Sequence, residues 1–194
     1  TAKRLGAVVE ATDLRPTAKE QVESLGGKWL DVPMSPEEQA RADEAAKNGY
    51  GWTPGEQYIK DQAAIVDKAV SNADIVITTA LLPGRNAPRL IKAETVAKMK
   101  PGSVILDMAV ETGGNVEGSK VGETVFTENG VKILGVPNIP STLSTEASAL
   151  YARNVFNFVE TLFDADKNFS INPEEEIQKA LLVTHGGQVL LKRG

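Results

Sequence analysis

Four places in the sequence set polar or small residues where chemistry could be done. Asp13 follows the apolar run Ala7–Thr12. An acidic residue ending such a strand can accept hydrogen bonds from the ribose hydroxyls of an adenosine, and its charge disfavours a 2′-phosphate. The same Asp, three residues before Pro16, is also an ordinary turn former. A second run, Asp74–Thr79, ends in hydroxyls and passes through Ala80, Leu81 and Leu82 into a Pro83-Gly84 turn. A third, Ser103–Asp107, leads to Glu111 and the pair Gly113-Gly114. Two carboxylates there suit acid–base work or a ribose. Paired glycines let backbone approach a ligand closely. The fourth, Lys132–Gly135, leads to Asn138 between two prolines, with an amide that could meet a carboxamide or a ribose. Each alone reads equally as a plain loop. Together they place one candidate site along one edge of one sheet.

The elements that would position these residues alternate. Helical patterns fill Thr17–Leu25, Pro36–Lys47, Gln57–Ser71 and Ala93–Met99, and a further strand is expected at Lys28–Val32. Ile59, Ala63, Val66 and Val70 would share one helix face. Strands alternating with helices imply an α/β fold, a Rossmann-like doubly wound parallel sheet. Thr1–Leu5 reads as the tail of a helix stopped by Gly6, so the chain starts within a βαβ unit. The first strand and its glycine-rich loop are then expected to be lacking. Val125–Phe126 adds a short strand near the last one.

After Pro140 the pattern changes. Ala147–Phe163 reads as one long helix with a broad apolar surface. A turn-rich stretch, a helix start at Pro173–Glu176, and strands at Leu181–Thr184 and Gln188–Leu191 around Gly186-Gly187 follow. This gives residues 1–144 as a partial nucleotide-binding domain. Residues 145–194 form a linking helix and hairpin that belong with another domain.

The loop Asn48-Gly49-Tyr50-Gly51-Trp52-Thr53-Pro54-Gly55 interleaves glycines with two aromatics. It suits a mobile lid, or aromatics packed on the body of the domain.

Bulk properties narrow the function classes. The chain has 194 residues, 41% hydrophobic, with a net charge of −5, which argues against nucleic-acid binding. It has no cysteine, so it has no thiolate metal site, disulfide or cysteine nucleophile. Its one histidine, His185, lies in the terminal hairpin, and no metal-ligand spacing occurs. No apolar run approaches the ~20 residues needed to cross a bilayer, so no direct membrane insertion is expected.

The stretches TAKRLGAVVEATDLRP, KEQVESLGGKWLDV, DIVITTALLPGRNAPRLI, MKPGSVILDMAVETGGN and ENGVKILGVPNIPS together resemble the NAD(H)-binding component of proton-translocating nicotinamide nucleotide transhydrogenase. The wider family includes alanine dehydrogenase. The resemblance implies NAD(H) as cofactor, with hydride transfer between NADH and NADP held on a partner component. Other partners would be membrane components, placing the chain in the cytoplasm, peripheral at the inner membrane. It implies a chain truncated at its N-terminus, with the long helix returning to a missing first domain. By matching motif, Asp13, Leu14 and Arg15 fall where the family holds the adenosine ribose. Gly49 and Tyr50 match its mobile loop, and Gln62 a glutamine just beyond. Thr79, Ala80 and Leu81 match the strand end beside the cofactor. Glu111 and Asn138 fall near the nicotinamide. No catalytic acid or base is implied, because direct hydride transfer needs apposition of two rings.

Three functions stand at this point: a transhydrogenase component, an alanine dehydrogenase-like oxidoreductase, and a non-catalytic remnant that keeps oligomerisation surfaces. A fragment without the phosphate loop is expected to bind NADH weakly and to be inactive alone. An uncovered strand edge and helix face lead to an expected homo-oligomer.

Overall fold

The computed structural model describes residues 1–47, 52–82 and 84–190, with residues 46 and 47 described by backbone only. The chain forms two compact units, Thr1–Pro137 and Asn138–Gly194.

In the first unit β1 (Glu10–Ala11) pairs in parallel with β2 (Lys28–Trp29). Between them runs α1 (Thr17–Ser24). It stops at Gly26, which takes a left-handed φ of 78°. The strands are shorter than their apolar runs because β1 finds a partner on one side only. Val8, just before it, is almost fully exposed.

A second sheet has the order β3-β4-β6-β5, with β3 Ile75–Thr78, β4 Val104–Asp107, β5 Thr124–Phe126 and β6 Lys132–Leu134. The first three in that order are mutually parallel, and β5 runs antiparallel at the edge. Val76, Ile105, Ile133 and Val125 form one cross-strand row. That row belongs to a core with Val70 and Val66 of α3 (Glu56–Asn72) and Val96 of α4 (Ala93–Ala97). The opposite face of β3 is bare: Ile75 and Ile77 are 71% and 60% exposed. A parallel strand normally has both faces covered. As with β1, only one side of β3 is hydrogen-bonded to a strand.

Helix α2 (Pro36–Lys47) opens with a reciprocal cap. The Glu38 amide donates to Ser35 Oγ at 3.2 Å, and the Ser35 amide to the Glu38 carboxylate at 3.4 Å. The other Glu38 oxygen accepts from the Gly55 amide at 3.1 Å, tying the start of α3 to α2. A second cluster fills this region: Val32, Ala42, Trp52 and Tyr58, with Leu14 and Ile65 against it. The Trp52 and Tyr58 rings meet edge to face at 4.8 Å. The buried stripe of α3 therefore runs Tyr58, Ile65, Val66, Val70. Ile59, expected on that face, is 50% exposed. The deciding residue is Tyr58, which draws the stripe one position round the helix.

The C-terminal end of α4 is closed by Asn129, whose Nδ2 donates to the carbonyls of Val96, Ala97 and Met99 at 3.1–3.2 Å.

The second unit begins with a 3₁₀ turn, Ile139–Leu143, that feeds α5 (Ser144–Thr161), the expected long helix. No residue of α5 is buried. Gln178, on α6 (Glu176–Leu181), is the polar anchor of this unit. It donates to the Thr161 carbonyl and accepts from the Asn172 amide, at 2.7 and 2.8 Å. The terminal hairpin forms between β7 (Thr184–His185) and β8 (Gln188–Val189). Gly186 and Gly187 both have positive φ, as a two-residue hairpin turn requires. Leu181, expected to open a strand, instead ends α6.

Candidate functional site at the carboxyl ends of the strands

The parallel strands direct their carboxyl ends the same way, and the polar residues anticipated there follow those ends. Beyond β1, Asp13 is gripped by Arg15. The Arg15 Nε and Nη2 donate to the two carboxylate oxygens at 3.1 and 2.8 Å, and the Arg15 amide donates at 2.8 Å. Partial burial pushes the Asp13 carboxyl up, but these bonds and the adjacent positive charge outweigh it and hold it below the ordinary 3.8. The Arg15 guanidinium is correspondingly raised by Asp13. Leu14 turns the other way, into the cluster with Tyr58.

Beyond β3, Thr78 is buried, Thr79 and Leu81 are exposed and Ala80 is half-buried. The strand ends at Thr78, yet the chain stays fixed beyond it, at Ala80. There the side chain of Asn115 acts as a strand neighbour. Its Oδ1 accepts from the Ala80 amide and its Nδ2 donates to the Ala80 carbonyl, both at 3.0 Å. Nδ2 also donates to the Pro88 carbonyl at 2.8 Å. Asn115 is fully buried, and its amide group is satisfied on both atoms.

Beyond β4, the expected pair of carboxylates divides by environment. Asp107 is 0% exposed and faces no solvent, so it is no acid–base group for a ligand. It accepts backbone amides from Ala109, Asn115 and Val116 at 3.0–3.2 Å, and the Thr78 hydroxyl at 3.4 Å. It folds the loop after β4 back over the strand end. Glu111 lies on that loop, in a 3₁₀ turn Val110–Thr112, and is exposed. The double glycine has a structural cause. A Cβ on Gly114, at φ +79°, would lie 2.6 Å from Asp107 Oδ2. Arg89 closes the loop from outside, donating to the Gly113 and Val116 carbonyls.

Of the remaining candidates, Gln62 is half-buried on the inward stripe of α3. Asn138 belongs to the second unit, where it opens the 3₁₀ turn in a left-handed conformation, φ 45°. Gly49 and Tyr50 lie outside the described residues. Trp52 does not: it is 6% exposed, under the Arg41 guanidinium and against Tyr58. The tryptophan of the anticipated lid thus packs on the body of the domain.

The structure brings Thr79–Leu81 and the Glu111 loop together through Asn115 and Asp107. It leaves β1, with Asp13, in a separate two-stranded sheet of the same unit. Asn115 stood in the sequence directly after the glycine pair. Nothing local marked it, because its partner lies 35 residues away. Among the described residues no group of three or more His, Asp or Glu could hold a metal. A groove of about 640 Å³ lies between α4 and β5–β6, lined by Val96, Val125 and Ile133. None of the candidate residues lines it, so the site is defined by the strand ends and not by this groove.

Parallel strands with crossover helices, an antiparallel edge strand and polar residues following the carboxyl ends define a Rossmann-like α/β domain. Its sequence carries it further. A profile of the family described as "Alanine dehydrogenase/PNT, C-terminal domain" matches residues 1–192, and the chain belongs to that family. It is 47% identical over 191 residues to the first of the separate alpha-subunit chains of the NAD(P) transhydrogenase of Rhodospirillum rubrum. That match covers 98% of this chain and 48% of the relative. The NAD(P) transhydrogenase subunit alpha of Haemophilus influenzae is 40% identical over 188 residues, covering 96% of this chain and 36% of that one. Among solved structures the chain is similar to the transhydrogenase of Sinorhizobium meliloti, with a TM-score of 0.72 at 44% identity, covering 97% of this chain and 47% of that one. An L-alanine dehydrogenase structure matches with a TM-score of 0.63 at 26% identity, covering 97% and 45%. The chain thus spans about half the length, or less, of the relatives it matches. No helix among the described residues is long and apolar enough to cross a membrane.

Proposed function

We propose that this chain supplies the NAD(H)-binding part of a transhydrogenase, which exchanges a hydride between NADH and an NADP(H) held by a partner component, coupled to proton translocation. The observation that carries the reading is Asp13. It is a partly exposed carboxylate at the end of a parallel strand, pinned by Arg15 with its oxygens in a fixed plane. That acceptor set fits a ribose diol, which donates two hydroxyls to a carboxylate. Asp13 and Arg15 would hold the adenosine ribose. Thr79–Leu81 would line the dinucleotide, with Glu111 toward its nicotinamide end. The nicotinamide, when bound, supplies the hydride chemistry. This chain's residues bind and orient it, and none of them moves a proton.

Similarity supports the transhydrogenase branch over an amino-acid dehydrogenase. Identity is 44% to the former structure and 26% to the latter. Partner components would bring the chain to a membrane surface, and self-association would follow from its uncovered apolar faces.

The test is a titration of the ¹⁵N-labelled chain with NADH and NADPH to millimolar concentration, followed by amide shifts. The reading requires saturable shifts around Asp13 and Thr79–Leu81, larger for NADH. Shifts elsewhere only, or none, would overturn it. Mixing with a purified NADP-binding component then tests hydride exchange directly.

A further inference from the structure

We propose that Asn115 is a positioning residue for the nucleotide site. Its buried carboxamide locks the backbone of Ala80, so that Thr79 and Leu81 are presented to the ligand in one fixed geometry. The inference rests on the functional reading above and adds to it a residue that touches no ligand.

The argument begins at the end of β3. Thr78 still pairs with Asp107 of β4 in the sheet register. At Ala80 the ladder has stopped, and a chain end beyond a ladder ordinarily frays. Here both polar groups of Ala80 are taken by one side chain, in the manner of a neighbouring strand. Thr79 and Leu81, on either side of the locked residue, remain exposed. An anchored residue between two exposed ones costs little further ordering when a ligand arrives.

Asn115 is in turn immobile. Its own amide donates to Asp107, and its carbonyl accepts the amides of Leu90 and Ile91 at 2.9 and 3.0 Å. Val116 bridges to Ile91 in the next position. The Ala87 amide donates to the Thr112 carbonyl, and Arg89 holds Gly113 and Val116. The segments after β3 and after β4 are therefore stitched into one platform. Among these side chains, Asn115 is the one that bonds to the Ala80 backbone.

A matched control exists in the same unit. Asn129 also sends its Nδ2 to several backbone carbonyls, but it closes α4. Asn129→Ala costs stability without touching the strand ends. The experiment compares Asn115→Ala and Asn129→Ala with the parent chain by amide exchange and NADH titration, at a temperature where all are folded. In the parent, the Ala80 amide exchanges slowly despite lying outside β3. In N115A, Ala80 exchange rises by about ten-fold or more while the β3 and β4 amides hold. NADH affinity falls at least about ten-fold, as a small misplacement of a binding group produces. In N129A, both stay within about two-fold of the parent once folded. Unchanged Ala80 protection in N115A overturns the lock. Equal affinity losses in the two variants, or none in N115A, overturn the positioning role. A parent chain that shows no NADH shifts overturns the nucleotide reading and the ligand half of this inference, while Ala80 exchange still judges the lock by itself.

Discussion

Arg15 holds the carboxylate of Asp13 with Nη2 2.8 Å from Oδ2 and Nε 3.1 Å from Oδ1, two residues along the same turn. The pair fixes the plane of the carboxylate and also partly neutralises it. A ligand at this strand end meets an acceptor with reduced charge. Both residues then bear on which nucleotide is chosen, with opposite signs.

Asp13→Asn removes an ionised acceptor from a ribose diol. A hydrogen bond to a charged group contributes about 1.5–3 kcal/mol, so NADH affinity should fall by roughly ten-fold or more. The preference over NADPH should narrow, because the charge that repels a 2′-phosphate is gone. Arg15→Ala should widen it, by leaving the carboxylate unneutralised and removing a phosphate partner. Titrations of both variants with both nucleotides check the two signs together.

The same pair sets a pH dependence. The folded-state pKa of Asp13 lies below its ordinary 3.8. A depressed carboxyl contributes stability that is fully present above the unfolded value and is lost as pH falls through the folded one. The window therefore lies at and below the ordinary 3.8, and the pair should be intact from about pH 5 upward. Both side chains are partly exposed, 35% for Asp13 and 56% for Arg15, so solvent screening keeps the contribution small. The check is the ¹³C carboxyl titration of Asp13: its midpoint should rise in Arg15→Ala.

Gly114→Ala should be severely destabilising. It demands a left-handed φ of a residue with a side chain and drives a Cβ to 2.6 Å from a buried carboxylate oxygen. Strain of this kind costs about 1–3 kcal/mol before the clash is counted. Urea unfolding should show a midpoint shift of that order. Gly84→Ala, also at positive φ but with nothing within 4 Å, isolates the backbone part.

The alternation of strand and helix was legible because the sheet's inner row, Val76, Ile105, Ile133 and Val125, is made of apolar residues in short runs bounded by turn formers. The four strand ends were legible for the same reason. What could not be read was long-range. Asp107 looked like half of a carboxylate pair until its three backbone donors placed it inside the fold. Asn115 looked like a loop residue until Ala80, 35 positions away, became its partner. Trp52 sat among glycines, and only Tyr58 and Arg41 show why it is drawn inward. Alternation reports local environment, whereas these three contacts depend on how distant segments meet.

The last expectation concerns assembly. On α5, Tyr151, Val155, Phe156 and Val159 fall within about 140° of arc at helical spacing. All four are exposed, and nothing in the helix is buried. An uncovered stripe of that width on a water-facing helix is unfavourable by its transfer cost, about 25 cal/mol per Å² of apolar surface. A second copy presenting the same stripe covers both faces at once, as a two-fold interface requires. The chain should therefore sediment as a dimer at micromolar concentration and dissociate on dilution. Phe156→Glu places a charge in the middle of the stripe and should shift the equilibrium to a monomer of 20.7 kDa. Lys100→Glu, a charge change on the other unit, should leave it unaltered. A parent chain that sediments as a monomer across the whole range would mean that the stripe is covered by something other than a second copy.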